Sequence, residues 1–459
     1  MLYENQLSKL INIIDTFKWS SLFSRKDKDE IKLTMGNLID NYIQEDPLGY
    51  SSPKFEIGLK DYVFNNTLLS LKECYSENQL EQLKEELDGI YVKIHKYYFT
   101  NYYPLRSYSG SFIRIEPNIV KMSEKIKNIE NKPQPEQRTD EWYTFRHNLI
   151  TASSAWKAFK SQSAINQLVV EKCKPLDLTR YDSVNTSTPM HHGNKYEDVS
   201  IMLYEYMYDT KVKDYGCIQH DTYKFLGASP DGINVDPNSH RYGRMLEIKN
   251  PTTREITGIP KEDYWIQMQL QMETCNLNEC DFLETVFKEY DTEEEFIYDG
   301  TFTYTADDKL KGMMIYFMKD RKPFYEYMPL HISKEEYDVW YSNVMEKNSG
   351  LTWIKDIYWW LDDFSCILVL RNKLWFENAI SKIENVWTII EKERQTGYEH
   401  RLPKKQNRTS RSNSIADNNN TIPSNTCLID IGALQNQIIY VDTNYETIED
   451  ISGNTCELT

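Results

Sequence analysis

The residues that could do chemistry lie in one stretch, Leu226–Pro251, which reads LGASPDGINVDPNSHRYGRMLEIKNP. It places Asp231 in a Ser-Pro-Asp-Gly turn and ends an apolar run with Glu247, one aliphatic residue and Lys249. Proline presets φ and glycine tolerates positive φ, so the turn is expected to project the Asp231 side chain from the end of a strand. Because residues i and i+2 of a strand point to the same face, Glu247 and Lys249 are predicted side by side, with Ile248 facing the core.

This arrangement suits metal-assisted hydrolysis of a phosphodiester bond. Mg²⁺ takes carboxylate oxygens and keeps several waters, and Asp231 and Glu247 could supply such ligands from separate elements. A bound cation lowers the pKa of its water and neutralises the phosphate, while Lys249 could orient or deprotonate the attacking water. On these residues alone, the alternative of a turn aspartate beside an exposed salt bridge stays open.

The elements that must position these residues are predicted from periodicity between Asp140 and Tyr290. Strands alternate there with helices, which favours a sheet with helices packed on it. The expected helices begin near Asp140, follow Thr151, and run from about Asn194 to Tyr208 and from about Lys261 to Thr274, and the expected strands lie around Lys224–Ala228 and Arg244–Ile248.

The chain before this region has a different pattern. Residues 1–130 are predicted to be helical, because apolar residues recur at helical spacing from Leu7 to Phe17 and from Leu83 to Ile94. The segment 131–137, NKPQPEQ, has two prolines and no apolar residue, and is the predicted linker.

The chain after the linker is expected to form an α/β core at 138–295, an aromatic extension at 296–400 and a mostly disordered tail at 401–459. In the tail, a basic cluster begins at Lys404; we favour a solvated segment over a nuclear signal or a nucleic-acid tether. The tryptophans of the extension are expected to pack in the core rather than to stack on bases, and they are Trp353, Trp359, Trp360, Trp375 and Trp387.

The net charge of −17 argues at first against a nucleic-acid partner, because phosphate binding is electrostatic and usually needs a basic domain. The charge is unevenly distributed, however. Seven basic and four acidic residues lie between Arg138 and Arg180, a local excess of three positive charges. The overall acidity therefore neither excludes DNA nor suggests it.

Several other classes are excluded by missing motifs. The eight cysteines contain no CxxC pair, which excludes a zinc ribbon, a disulfide framework and an iron–sulfur cluster, and we predict reduced thiols. Neither GxxxxGK[ST] nor GxGxxG occurs, so a nucleotide-driven motor is not indicated. The apolar runs are shorter than the roughly 20 residues of a membrane helix and the charged start is unlike a signal peptide, so we expect a soluble intracellular protein.

Four motifs, of which the third ends the opening stretch, occur in a fixed order together with its Ser-Pro-Asp-Gly turn. They are Trp142-x3-Arg146-x3-Ile150-Thr151-Ala152-Ser153, the GNKYE sequence at 193–197, the LEIKNP sequence at 246–251, and Tyr264-x2-Gln267-x-Gln269. With the Ser-Pro-Asp-Gly turn, this ordered set resembles the lambda-type exonucleases, the YqaJ-like viral recombinase or alkaline exonuclease family of the PD-(D/E)XK nuclease superfamily. The resemblance covers Asp140 to Tyr290, about a third of the chain. It implies an α/β (α+β) fold, with a restriction-endonuclease-like core whose mixed central sheet is flanked by helices.

The resemblance also implies roles for the residues of the opening stretch. Asp231 and Glu247 match the metal-binding carboxylates, and the backbone carbonyl of Ile248 matches a further metal ligand. Lys249 matches the catalytic lysine. The implied cofactor is Mg²⁺, with Mn²⁺ as a substitute.

Four residues outside that stretch match the family as well. Glu197, on the helix after a GNKYE turn, matches an acidic residue that completes the metal site, and Gln267 matches a glutamine held against the active site. Arg146 and Ser153 match the pair that grips the terminal 5′-phosphate, a task suited to a guanidinium and a hydroxyl. We regard the neighbouring His191 as structural or incidental, and His192 likewise.

Each match also has a structural alternative. Glu197 could be an exposed first-turn acid, and Arg146 could pair with an acid of its own helix. Ser153 could be an N-cap, and Gln267 and Gln269 could face water.

The function implied is a metal-dependent DNA exonuclease that degrades linear duplex from a 5′-phosphorylated end during viral DNA recombination or repair. The implied partners are double-stranded DNA ends, a single-strand annealing protein and further copies of the chain, with no membrane involved. The location would be intracellular, in the host cytoplasm or nucleus for a viral protein. An endonuclease or structure-specific nuclease on the same fold, and a non-catalytic DNA-binding scaffold, are the alternatives. The large additions on both sides of the core leave ring assembly and processivity open.

Overall fold

The computed structural model describes residues 21–178 and 184–403 of the chain. The periodic segment from Leu7 to Phe17 and the basic cluster from Lys404 lie outside these residues. The helices are α1 (Arg25–Glu45), α2 (Phe55–Leu71), α3 (Leu80–Asn101), α4 (Ile119–Glu130), α5 (Asp140–His147), α6 (Ala152–Ala155), α7 (Gln162–Cys173), α8 (Pro189–Tyr208), α9 (Glu262–Cys275), α10 (Glu293–Tyr298), α11 (Lys334–Lys347) and α12 (Lys373–Thr396). The strands are β1 (Ile150–Thr151), β2 (Val212–Lys213), β3 (Ile218–Gln219), β4 (Leu226–Ala228), β5 (Gly232–Asn234), β6 (Met245–Lys249), β7 (Glu279–Glu289), β8 (Lys311–Lys319), β9 (Lys322–Tyr327) and β10 (Thr352–Leu370).

Two sheets form the centre of the molecule. The larger has the strand order β2-β5-β6-β7-β10-β8-β9, in which only β6 and β7 run parallel, and the smaller has the order β1-β4-β3, in which β1 and β4 run parallel. The sheet with helices packed on it, predicted from the alternation of strands and helices, is confirmed, and so is the mixed sheet that the resemblance implies. β6, which carries Glu247 and Lys249, lies inside the large sheet between β5 and β7.

Helix α9 lies between the sheets and contacts strands of both. Every residue from Trp265 to Cys275 is buried, as expected for a helix that is covered on all sides. Its polar residues are satisfied internally: Gln269 donates to the carbonyl of Leu370 at 2.9 Å and accepts from the amide of Asn372 at 2.7 Å. The alternative in which Gln267 and Gln269 face water is therefore wrong.

The N-terminal helices pack into the same hydrophobic core as the α/β region. Met35 and Leu59 belong to one cluster with Trp265 and Trp375. The buried Arg106 donates to the carbonyl oxygens of Ser51 at 2.9 Å and Pro260 at 2.8 Å, and so joins the N-terminal helices to the start of α9. Residues 21–178 and 184–403 lie in one compact unit, and the predicted domain boundaries stay a prediction.

The predicted linker, residues 131–137, contains neither helix nor strand. Its glutamines are nevertheless bound to the core. Gln134 donates to the carbonyl of Ile129 at 2.9 Å and accepts from the amide of Gly216 at 3.1 Å, and Gln137 donates to the carbonyl of Tyr215 at 2.8 Å. The segment therefore follows the surface of the α/β region.

Helix α8 begins at Pro189, earlier than the predicted start at Asn194. The Thr188 hydroxyl caps it by accepting a hydrogen bond from the amide of His191 at 3.2 Å, and proline suits the first helical position because its missing N–H needs no partner. The GNKYE sequence is thus helical, and its interpretation as a turn is wrong.

The aromatic extension supplies β8 to β10, α11 and α12. Trp359 and Trp375 are fully buried, in agreement with the prediction. Trp353 is 48% exposed, so the prediction is wrong at this position. The reason lies in strand length, because the first residues of β10 pair only with β8, and the pairing with β7 starts at Trp359.

The six cysteines of the described residues, Cys74, Cys173, Cys217, Cys275, Cys280 and Cys366, are free thiols. Over residues 21–178 and 184–403, no helix combines the length and apolar character needed to cross a membrane.

Candidate active site

The Ser-Pro-Asp-Gly turn and the Glu-x-Lys sequence meet at one hairpin. β5 starts directly after Asp231 and pairs antiparallel with β6, with Gly232 opposite Leu246. This register brings the Asp231 carboxylate to the middle of β6, where its Oδ2 accepts a hydrogen bond from the backbone amide of Ile248 at 2.7 Å. Two carboxylates separated by sixteen positions of sequence, Asp231 and Glu247, are thereby placed at one end of the sheet.

Gly232 is required for a reason other than the one expected. It is not among the residues with positive φ in the described ranges. A Cβ built on it would lie 2.1 Å from Cγ1 of Val212 on β2, far closer than real Cβ contacts allow. Glycine therefore permits the close approach of β2, and the turn places Asp231 without a left-handed conformation.

Glu247 is fully buried, and both of its oxygens are held. Its Oε1 accepts from Nε2 of Gln267 at 2.6 Å and contacts the Lys249 ammonium, while its Oε2 accepts from Nε2 of Gln271 at 2.7 Å. Glu247 and Lys249 project from the same face of β6, as predicted, and Ile248 packs on the other face against Leu283.

Gln271 was not singled out from the sequence. Gln267 and Gln271 are four residues apart on α9, the spacing that puts two side chains on one helical face. That spacing, applied to a helix that already carries one site glutamine, is the signal that could have identified it.

Charged side chains lie close together around Asp231 and Lys249. Burial raises the pKa of the Asp231 carboxyl well above its usual value, repulsion from Glu247 and Glu197 raises it further, and Lys249 opposes the rise. For Lys249, burial disfavours the charge, but Glu247 and Asp231 outweigh it and hold the pKa of the ammonium above its usual value. In this arrangement Lys249 is a cation, which suits orienting a water and offsetting negative charge better than removing a proton.

Glu197 lies on α8 and faces the same cavity, with its side chain 24% exposed. It accepts from Nη2 of Arg138 at 3.0 Å, and Arg138 has a left-handed backbone with φ of 68°. Burial raises the pKa of Glu197 against the opposing effect of Arg138. The alternative in which Glu197 is only an exposed first-turn acid is wrong, because it lies in the third turn of α8 and contributes to the field at Asp231.

A cavity of about 560 Å³ opens at these groups. Glu197, Asp231, Ile248 and Lys249 line it, and Arg254, Lys261 and Tyr264 form another part of its wall. Within the described residues, no set of three or more His, Cys, Asp or Glu side chains is gathered closely enough to hold a metal. Asp231 and Glu197 are the carboxylates that line the cavity, and the buried Glu247 contacts Lys249 in its wall. A divalent cation that keeps several waters fits these carboxylates together with a backbone carbonyl and would relieve the repulsion at Asp231.

Arg146 and Ser153 are brought together, as predicted. Arg146 donates from Nη1 to the Ser229 hydroxyl and from Nη2 to the Ser153 hydroxyl, both at 3.2 Å, and its guanidinium lies 4.2 Å from the centre of the Trp142 ring. It does not pair with an acid of its own helix, and the N-cap of α6 is Thr151, so both structural alternatives are wrong. Burial lowers the pKa of Arg146, and its neutral partners leave a positive charge that suits an anion.

Arg146 and Ser153 do not line the cavity that holds Asp231. Ser229, two residues before Asp231, lies between the two places. Gln269 and His191 make structural contacts outside the site. Gln269 binds the backbone at Leu370, and Nε2 of His191 lies 2.6 Å from the Tyr325 hydroxyl, in agreement with a structural role.

Comparisons with known proteins find similarity over the part of the chain that carries this site. Residues 141–278 match the model of the YqaJ-like viral recombinase domain. An uncharacterised protein of Acanthamoeba polyphaga mimivirus is 30% identical over 314 residues, which cover 60% of this chain and 56% of the relative, so the chain spans about half the length of the curated protein it matches.

Two solved structures are also similar. They are an alkaline exonuclease (LHK-Exo) from Laribacter hongkongensis, 18% identical, and LHK-Exo in complex with dAMP, 19% identical. Each match covers 56% of this chain and 95% of the solved chain, with a TM-score of 0.34. The match to the YqaJ-like viral recombinase domain spans the hairpin of β5 and β6, helix α9 and all seven predicted side chains of the site.

Proposed function

We propose that the protein is a divalent-metal-dependent deoxyribonuclease that degrades linear duplex DNA from a 5′-phosphorylated end. The observation that carries the proposal is that Asp231 and Lys249 line one cavity, with the buried Glu247 in contact with Lys249. Ser229, whose hydroxyl Arg146 binds, lies two residues before Asp231 in the chain. The match of residues 141–278 to the YqaJ-like viral recombinase domain supports it.

In this proposal, Asp231, Glu247 and the carbonyl of Ile248 would hold Mg²⁺ or Mn²⁺, with Glu197 adding negative charge. The cation would supply a water of lowered pKa and neutralise the scissile phosphate. Lys249 orients the attacking water and stabilises the charge that develops on the phosphate. Gln267 holds Oε1 of the Glu247 carboxylate and so helps to fix its orientation toward the cation.

The specificity for an end would come from Arg146 and Ser153. Among the residues that the structure describes, the Arg146 guanidinium donates to two hydroxyls and pairs with no carboxylate, so its remaining N–H groups are available to a phosphate. A terminal 5′-phosphate bound there would place the first phosphodiester of the strand near the cavity. The process served would be viral DNA recombination or repair, with a single-strand annealing protein and further copies of the chain as candidate partners.

Digestion of matched DNA substrates tests the proposal. Linear duplex with and without a 5′-phosphate, and a covalently closed circle, are incubated in Mg²⁺ or EDTA with the wild type and with Lys249→Ala. Lys211→Ala is the matched control, since Lys211 is exposed and pairs with Glu205 away from the site.

We expect Mg²⁺-dependent loss of the phosphorylated linear strand with the wild type and Lys211→Ala, and none with Lys249→Ala. Cutting of the circle would replace the exonuclease by an endonuclease. Unchanged activity of Lys249→Ala would refute the assigned chemistry, and absence of both cutting and metal binding would leave a DNA-binding scaffold.

A further inference from the structure

Gln271 occupies an unusual position between the two parts of the site. It is 1% exposed, and its Nε2 donates both to Oε2 of Glu247 at 2.7 Å and to the carbonyl oxygen of Ser229 at 3.3 Å. Its Oε1 is buried and accepts no hydrogen bond from the residues that the structure describes. The amide is therefore held by its donor end alone.

These contacts complete a continuous chain of hydrogen bonds. Arg146 donates to the hydroxyl of Ser229, and the carbonyl of the same residue accepts from Gln271, which also holds Glu247. Ser229 belongs to the turn that carries Asp231. A displacement of the Arg146 guanidinium toward a bound anion would thus be transmitted to the turn and to the buried carboxylate.

We propose that Gln271 is a positioning residue that couples occupation of the Arg146 and Ser153 site by a terminal phosphate to the orientation of Glu247. The proposal rests on the proposed function, because it concerns how that nuclease senses a phosphorylated end. Gln271 itself touches neither the phosphate nor the reacting bond; it acts through Ser229 and Glu247.

The chemistry of the contacts requires an amide. Both partners of Gln271 are acceptors, a carboxylate and a carbonyl, so only N–H groups can serve them, and a carboxylate at this position could not. The other two glutamines of α9 differ in a useful way. Gln267 holds Glu247 and no atom of the turn, while Gln269 binds the backbone of Leu370 and Asn372.

Three matched variants of one helix therefore test the proposal: Gln271→Met, Gln267→Met and Gln269→Met. The measurement is kcat and KM on duplex with and without a 5′-phosphate, and the quantity compared is the ratio of kcat/KM for the two ends. We expect Gln271→Met to reduce this preference about tenfold, the order of effect of one lost hydrogen bond. Gln267→Met should lower kcat on both ends alike, and Gln269→Met should leave the preference unchanged.

Ser229→Ala provides a second variant in case Gln271→Met does not fold. It removes the hydroxyl that Arg146 binds but leaves the carbonyl that Gln271 binds, so it should lose the preference to a similar extent. The double variant, Ser229→Ala with Gln271→Met, should lose no more of the preference for phosphorylated ends than either single variant, because both substitutions interrupt the same chain of hydrogen bonds.

The outcomes separate this inference from the proposed function. A wild type that prefers phosphorylated ends, with a Gln271→Met variant that keeps the full preference, overturns the coupling and leaves the nuclease intact. Additive losses in the double variant overturn the coupling as well. A wild type that degrades both ends equally overturns the end specificity of the proposed function, and the coupling with it.

Discussion

Lys172 is a buried cation next to the Arg146 site, and its substitution tests the electrostatics of that site quantitatively. Its side chain is 5% exposed, and its ammonium donates to the backbone carbonyl of Arg146 at 2.9 Å and lies 3.6 Å from Glu171. Burial lowers the pKa of Lys172 to about 8, against the opposing attraction of Glu171. The folded protein therefore binds this proton more weakly than the unfolded chain does.

The direction in which stability changes with pH follows from the lowered pKa of Lys172. A group whose pKa is depressed on folding contributes stability that is present above the unfolded value, near 10.5, and is lost as the pH falls to about 8. At about 1.4 kcal/mol for each pKa unit, the loss at pH 7 is roughly 3 kcal/mol. Replacement by methionine removes this loss and one hydrogen bond of about 1 kcal/mol, so we expect Lys172→Met to stabilise the protein by roughly 2 kcal/mol at pH 7.

Urea unfolding of the wild type and Lys172→Met at pH 7 and pH 10 measures the effect. The unfolding free energy of Lys172→Met should exceed that of the wild type at pH 7. This excess should fall by roughly 2.5 kcal/mol on going to pH 10. Lys157→Met is the control, because Lys157 pairs with the same Glu171 at 3.0 Å and makes no contact with Arg146. A variant that is less stable than the wild type at pH 7, or a difference that does not change with pH, would refute the reasoning.

Three further outcomes are expected. Asp231→Asn should abolish DNA cleavage yet raise the melting temperature of the metal-free protein at pH 7, because burial and neighbouring carboxylates raise the pKa of the Asp231 carboxyl. The gain in melting temperature should shrink as the pH falls and the wild-type carboxyl is protonated. A lower melting temperature of the variant at pH 7 would contradict this. Arg146→Lys should lower kcat/KM about tenfold on phosphorylated ends and little on unphosphorylated ends, because an ammonium cannot replace the two-pronged guanidinium; equal losses on both ends would count against the phosphate site. Gly232→Ala should lower the unfolding free energy in urea by roughly 2 kcal/mol, because the added Cβ clashes with Val212, and Val212→Ala should restore part of this loss. Gly89→Ala is the control: Gly89 has open space around it, and alanine there should stabilise helix α3 by up to about 1 kcal/mol.

The local parts of the site could be predicted because they depend on short-range geometry. The alternation of a strand places Glu247 and Lys249 on one face whatever the strand packs against. A turn and a strand at a hairpin's separation bring Asp231 to the same end. A helix is expected near Asp140, and α5 starts at that residue, where Thr139 caps it and acids occupy its first turn.

Two other features of the fold could not be predicted from the local sequence. The start of α8 was placed too late because the GNKYE sequence has the composition of a turn, and the capping Thr188 and Pro189 lie upstream of it. The exposure of Trp353 depends on where a second strand begins to pair with β10, which no property of the tryptophan indicates.

What the sequence by itself determined is the chemistry: the residue types and spacings of the carboxylates, the lysine and the Arg146 and Ser153 pair. What only the tertiary structure decided is how these groups are held. Gln271 meets Glu247 and Ser229 because α9 is enclosed between two sheets, and the N-terminal helices complete the core that encloses it. The physical reason is that periodicity reports the face of an element, while the identity of its partner depends on contacts between distant parts of the chain.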